Sequence, residues 1–181
     1  MNVEDILAKL VSFPVLGGES NLKIIYWIKN YIETFGIATI LVPNKEETKA
    51  SLHCRIGPAI DGGVILSGHT DVVPVEGQDW HTDPFTLVKK DGKLFARGSA
   101  DMKGFIACCL ATLPTLSKAH LKKPIYFAFS YDEEIGCLAA PELIEHIKKS
   151  YVENATYAII GEPSLLEPVI GKKGVCYVQT E

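Results

Sequence analysis

No apolar run in this chain approaches the roughly 18–20 residues that a membrane span requires, and the N-terminal Met1-Asn-Val-Glu-Asp5 lacks the basic-then-apolar layout of a secretory signal. A cytoplasmic chain with no membrane partner is therefore expected. The five cysteines, Cys54, Cys108, Cys109, Cys137 and Cys176, are odd in number and show no Cys-x-x-Cys spacing. That argues against both a disulfide framework and a thiolate zinc knuckle. Reduced, mostly buried thiols are expected, with Cys108 and Cys109 packed inside an apolar helical pattern. Lysine and arginine are scattered and the formal net charge is −4, which leaves no basic face for nucleic acid. Internal repeats and low-complexity tracts are absent as well.

What remains is an ordinary globular composition, 47% hydrophobic and 22% charged over 181 residues. It suffices for one domain with a sizeable core, or for one domain and part of another. Helical spacing of Val3, Ile6, Leu7, Leu10 and Val11, closed by Phe13-Pro14 and Gly17-Gly18, predicts a first helix. Ser20 is the predicted N-cap of a second, whose stripe is Ile25, Ile28, Ile32 and Phe35 and whose stop is Gly36. Residues 37–42, 51–56 and 64–66 read as strands. The loop 75–84 should lie over the sheet end, with Trp80 and Phe85 anchoring the loop itself and His81 in solvent. Asp91-Gly92 signals a tight hairpin.

A helix is predicted from about residue 102 to 116, bent or shortened by Pro114. Residues 125–130 then read as a strand. A helix carrying Leu138, Leu143, Ile144 and Ile147 follows, with Pro141 in its first turn, and residues 156–160 form another strand. Nothing marks His53, His120 or His146 as special. Strands alternating with helices argue for an α/β domain with a largely parallel sheet covered on both faces.

Three of these strands run into candidate metal ligands: His69 after 64–66, Glu133-Glu134 after 125–130, and Glu162 after 156–160. Ligands of open α/β sheets bind at the carboxyl ends of the strands. His69 and Asp71, two apart, can face one site if the backbone is extended, and a neighbouring carboxylate can orient a ligating imidazole. Asp101 stands at a helix start near the same edge, where its alternative role is an N-cap. One imidazole among several carboxylates suits Zn²⁺, Co²⁺ or Mn²⁺ rather than a structural thiolate zinc. A carboxylate can also bridge two ions about 3.5–4 Å apart. Adjacent glutamates diverge, so one of the Glu133-Glu134 pair can ligate while the other faces the attacking water.

Ser67-Gly-His-Thr-Asp-Val-Val-Pro74, Arg97-Gly-Ser-Ala-Asp-Met-Lys-Gly104, Asp132-Glu-Glu134 and Gly161-Glu-Pro163 stand in an order that resembles the M20 family of co-catalytic metallopeptidases and deacylases. The resemblance implies a three-layer α/β/α, zinc-exopeptidase-like catalytic domain with a mixed, largely parallel sheet. It makes His69 and Glu162 ligands of one zinc, Asp101 the bridge and Glu134 a ligand of the second, with cobalt an acceptable substitute. Asp71 would orient His69, Glu133 would be the general base, and the Asp101-Met102 peptide bond would be cis. The stretches 79–85, 130–137 and 171–174 are most similar to the branch that deacetylates N-acetylornithine. Succinyl-diaminopimelate desuccinylases and related dipeptidases are the alternative within the family, and a fold-only binding module the alternative outside it. The substrate implied is a small N-acyl amino acid. The same resemblance implies a longer parent, a homodimer formed through a lid domain, and a further histidine for the second metal. Residues 1–174 are thus expected to be the first part of the catalytic domain and 175–181 the start of the lid.

Overall fold

The computed structural model describes residues 1–171. The expected lid start at 175–181, and with it Cys176, lies outside the described residues. In chain order the elements are α1 (Val3–Val11), α2 (Leu22–Glu33), β1 (Thr39–Pro43), β2 (Ala50–Ile56), β3 (Val64–His69), β4 (Val88–Lys90), β5 (Lys93–Phe95), α3 (Lys103–Leu116), β6 (Ile125–Ser130), α4 (Ala140–Ser150) and β7 (Tyr157–Ile160). Five strands form the main sheet in the order β1-β2-β6-β3-β7. The β6–β3 and β3–β7 pairs are parallel, and β1–β2 and β2–β6 are antiparallel. The sheet is therefore mixed: β2 alone opposes the other strands, and the three adjacent parallel strands occupy one side.

Helix α1 forms where its spacing predicts. A reciprocal capping box between Asn2 and Asp5 closes its start, and Ile6, Leu7, Leu10 and Val11 are buried. Helix α2 departs from expectation at its cap, a position held by Asn21 rather than Ser20. The Asn21 amide turns inward, donating to the Ala50 carbonyl at 2.8 Å and the Thr70 hydroxyl at 3.1 Å and accepting from the Ala50 N–H at 2.9 Å. A buried amide with three partners outweighs a surface cap, because leaving it unpaired would cost about 1–3 kcal/mol.

Helices α1, α2 and α3 cover one face of the sheet. There Ile6, Leu10, Ile28, Ile106 and Leu110 pack with Leu52, Cys54, Phe127 and Phe129. The other face is thinner, with Val42, Ala128 and Leu143 buried and Ile65 and Ile147 partly so. Of the predicted stripe of α4, Leu138 precedes the helix and is exposed, and Ile144 is exposed on it. Apolar spacing reports that a stripe exists; whether it is covered depends on what packs against it. Cys54 and Cys109 are buried; Cys108 is exposed, contrary to the expectation that it packs with Cys109, and Cys137 is exposed as well. Helix α3 runs through Pro114 to Leu116, since a proline in the last turn removes only one ladder bond.

The Asp91-Gly92 turn joins β4 to β5 with φ of 50° and 72°, the conformation of a tight hairpin. Trp80 holds its own loop, donating its indole N–H to Gln78 with Arg97 stacked over the ring. His53 and His146 are not ordinary surface residues. His53 is fully buried, with Nε2 2.9 Å from His146 Nδ1 and Nδ1 3.0 Å from the Tyr151 hydroxyl. No helix among the described residues is long and apolar enough to cross a membrane.

Candidate metal centre

The parallel ladder sets three strand ends side by side. His69 lies opposite Ser130 and Ser67 opposite Ile160. The pattern continues past the strands, with the Thr70 N–H donating to the Ser130 carbonyl and the Gly161 N–H to the Ser67 carbonyl, each at 3.0 Å. Neighbouring strands are about 4.8 Å apart, so a ring on the middle strand reaches ligands from both neighbours. His69, the last residue of β3 rather than one beyond it, holds that middle place. Glu133 and Glu134 come from the turn after β6, and Glu162 from the second position after β7. Gly161 permits the approach: a Cβ there would lie 2.0 Å from the Phe105 ring of α3.

Asp101 arrives from the start of α3 after a cis Asp101–Met102 peptide bond, as the resemblance implies. It is not the N-cap, a position held by Met102 without any side-chain bond. Its carboxylate instead meets the imidazole. His69 Nε2 lies 3.1 Å from Asp101 Oδ1, 3.7 Å from Glu162 Oε1 and 3.9 Å from Glu133 Oε2. Two groups, His69-Glu133-Glu162 and His69-Asp101-Glu134, each bring three ligand atoms within 4.8 Å of one another. The ring is 1% exposed while the Asp101 and Glu162 side chains are 49% and 43% exposed, which makes a cup with a buried floor and an open mouth.

Asp71 lies beneath this cup. The nearest oxygen to His69 Nδ1 is the Asp71 main-chain carbonyl at 2.9 Å, with the carboxylate at 3.5 Å. Orientation of the ring thus comes first from the backbone. The buried Asp71 carboxylate accepts the N–H groups of Glu133 and Glu134 at 3.2 and 3.1 Å, tying the glutamate turn to the histidine.

Electrostatics follow from this crowding. Burial alone would pull the His69 pKa down, but the Asp71 carboxylate, with the charges of Glu162 and Glu133, holds it up at about 9. Burial and then the charges of Asp101 and Glu133 raise both Glu134 and Glu162 above the ordinary carboxylate range, against the pull of His69. Asp71 moves the other way: burial is outweighed by its bonds from His69 and the two glutamate amides. Mutually repelling carboxylates around one imidazole whose Nδ1 is already engaged are the donor set of a borderline-hard divalent cation. The residues present fit such an ion.

Lys103 and Asp132 lie inside the quoted motifs without a role assigned to them there, and Gly18 and Lys49 lie outside them. Lys103 is fully buried, donates to the Phe13 carbonyl at 2.7 Å and is pushed down to about 8 by burial, despite the Asp71 charge. Gly18 donates to Asp132 at 2.9 Å and Lys49 forms an ion pair with it. Nothing in the local sequence around Gly18 or Lys49 reveals these contacts. Lys103 alone had a signal, as a charge inside an otherwise apolar helix start.

The α/β arrangement itself is shared with peptidases of solved structure. An M20 family metallo-carboxypeptidase from Sulfolobus solfataricus superposes with a TM-score of 0.76 over 89% of this chain and 37% of that one, at 22% identity. Human carnosine dipeptidase 1 gives 0.70 over 87% of this chain and 38% of its own, at 24% identity. Residues 65–175 match Peptidase family M20/M25/M40, and the chain belongs to that family. Acetylornithine deacetylases of Pasteurella multocida and Proteus mirabilis are 37% and 36% identical to it over 157 residues, 86% of this chain. The chain spans about two fifths of the length of these curated relatives, 40% and 39%.

Proposed function

We propose that this chain is the metal-holding part of an amidohydrolase that removes the acetyl group from N-acetylornithine. The observation that carries the reading is the convergence of Asp101, Glu133 and Glu162 within 3.9 Å of one buried imidazole nitrogen, from three separate stretches of chain. The choice of substrate follows the deacetylases named above. In this reading His69 and Glu162 would hold one zinc and Glu134 a second, with the Asp101 carboxylate shared between them. Bound divalent ions supply Lewis acidity and lower the pKa of water. Glu133 takes the proton of the attacking water and returns it to the leaving amine nitrogen as the C–N bond breaks. The Cys137 thiol, 3.2 Å from Glu133 Oε1, steadies that carboxylate, and Asp71 holds both His69 and the glutamate turn in place.

Calorimetric titration of the chain with Zn²⁺ tests the site. The wild type binds, and His69→Ala loses affinity by at least about 100-fold; unchanged binding by His69→Ala ends the assignment. In the full-length enzyme, Glu133→Gln lowers turnover by about 10²–10⁴-fold with metal content unchanged, the usual worth of a general base. Near-normal turnover removes Glu133 from that role. Faster hydrolysis of N-succinyl-diaminopimelate than of N-acetylornithine reassigns the substrate without touching the site.

A further inference from the structure

We infer that Asp132 is the positioning residue of the two-glutamate turn, clamped by Lys49 across the sheet. Asp132 adopts φ of 54°, a left-handed conformation that residues with a Cβ seldom adopt and that Asp visits when its side chain is held by hydrogen bonds. Something must hold it there. Its buried carboxylate is saturated from two directions: Oδ1 accepts the Gly18 N–H at 2.9 Å and Oδ2 pairs with Lys49 Nζ at 2.5 Å, the two side chains being only 7% and 12% exposed. Both oxygens are occupied, and neither belongs to the groups of ligand atoms around His69.

From Asp132 onward the turn closes on itself. The Gly136 and Cys137 N–H groups bond the Glu133 carbonyl, each at 2.9 Å, and the Leu138 N–H bonds the Asp132 carbonyl at 3.1 Å. That leaves the Glu133 and Glu134 amides directed at Asp71 and their carboxylates directed at the cup. Lys49 is itself fixed, its main-chain N–H and carbonyl both bonded to Asn44 and its ammonium set 5.7 Å from the Tyr131 ring centroid. The clamp thus joins the β1–β2 turn, the α1–α2 loop and the end of β6, which meet nowhere in sequence.

This inference takes from the proposed function only that Glu134 serves a metal; the clamp itself is tested without metal. Amide exchange followed by NMR on the metal-free chain should be at least about tenfold faster at Glu133 and Glu134 in Asp132→Asn and in Lys49→Met. Lys49→Arg should restore protection, and the Phe127 and Phe129 amides of β6 should not change. Asp132→Asn keeps an oxygen for the Gly18 N–H and loses only the charge facing Lys49; Lys49→Met removes the same pairing from the other side if the first variant does not fold. A second arm titrates Zn²⁺: Asp132→Asn weakens binding about 10–100-fold, the usual effect of a group that orients a ligand, and has no further effect in a Glu134→Gln background. Unchanged exchange at the two glutamates, faster exchange throughout β6, or an equal loss of affinity in the Glu134→Gln background would each overturn the inference. A wild-type chain that binds no zinc refutes the metal reading alone, and the exchange arm still decides the clamp.

Discussion

His69 has two ring nitrogens, and the fold gives them different tasks. Nδ1 meets the Asp71 carbonyl while Nε2 faces the carboxylates. Because the surrounding negative charge holds the pKa at about 9, the metal-free ring keeps a proton that an ion must displace. Zinc affinity should therefore rise with pH, by up to about tenfold per unit, as far as about 9 and level off above. The raised carboxyls of Glu134 and Glu162 add the same sign at lower pH. Calorimetry in buffers of different ionisation enthalpy will detect the released proton at pH 7.5; binding without proton release would contradict the arrangement. His69, Asp101, Glu133, Glu134 and Glu162 were all legible as candidates, because each sits at a strand end or helix start. The Lys49–Asp132 pair was not, because a contact between residues 83 apart leaves no local pattern; nor was the choice of the Asp71 carbonyl over its carboxylate as the partner of His69 Nδ1, which the backbone path just past β3 decides.

At the scale of elements, the strand ends of β6, β3 and β7 do the assembling, and β7 reaches its place only past Phe105. Gly161→Ala should cost about 1–3 kcal/mol in urea unfolding, as overpacking does, and should weaken zinc binding by displacing Glu162. A neutral outcome would mean that α3 yields easily. Most elements could be read from spacing, including the hairpin at Asp91-Gly92 and the full extent of β6. One miss fell where a side chain chose a tertiary partner over a local one: Asn21 took the buried amide bonds in place of a Ser20 cap. Of the two roles open to Asp101, the structure favours the one beside the imidazole over the helix cap.

Among the described residues the layers are unequal: three helices and most of the core lie on one face, and α4 lies on the other with only Leu143 of its residues buried. Its amides should exchange through an easier opening than those of α3, and native-state hydrogen exchange will rank the two. The His53–His146 contact links α4 to the sheet, and burial, with the charge of His146, lowers His53 to about 4. Between pH 6.5 and 4 the folded state binds fewer protons there than the unfolded one. The stability linked to His53 is therefore complete above 6.5 and is lost as pH drops toward 4. Urea midpoints across that window should decline, and less steeply in His53→Gln.

Residue chemistry and spacing along the chain determined by themselves the layered α/β class, the helices and strands, and the short set of groups able to hold a cation, because these depend on neighbours within one turn or one strand. Only tertiary structure decided the strand order that makes β3 the middle of three parallel ends, which strand runs against the rest, and the partners that hold Asp71 and Asp132. Strand pairing joins segments tens of residues apart, and its energy resides in contacts that do not exist until the sheet has formed.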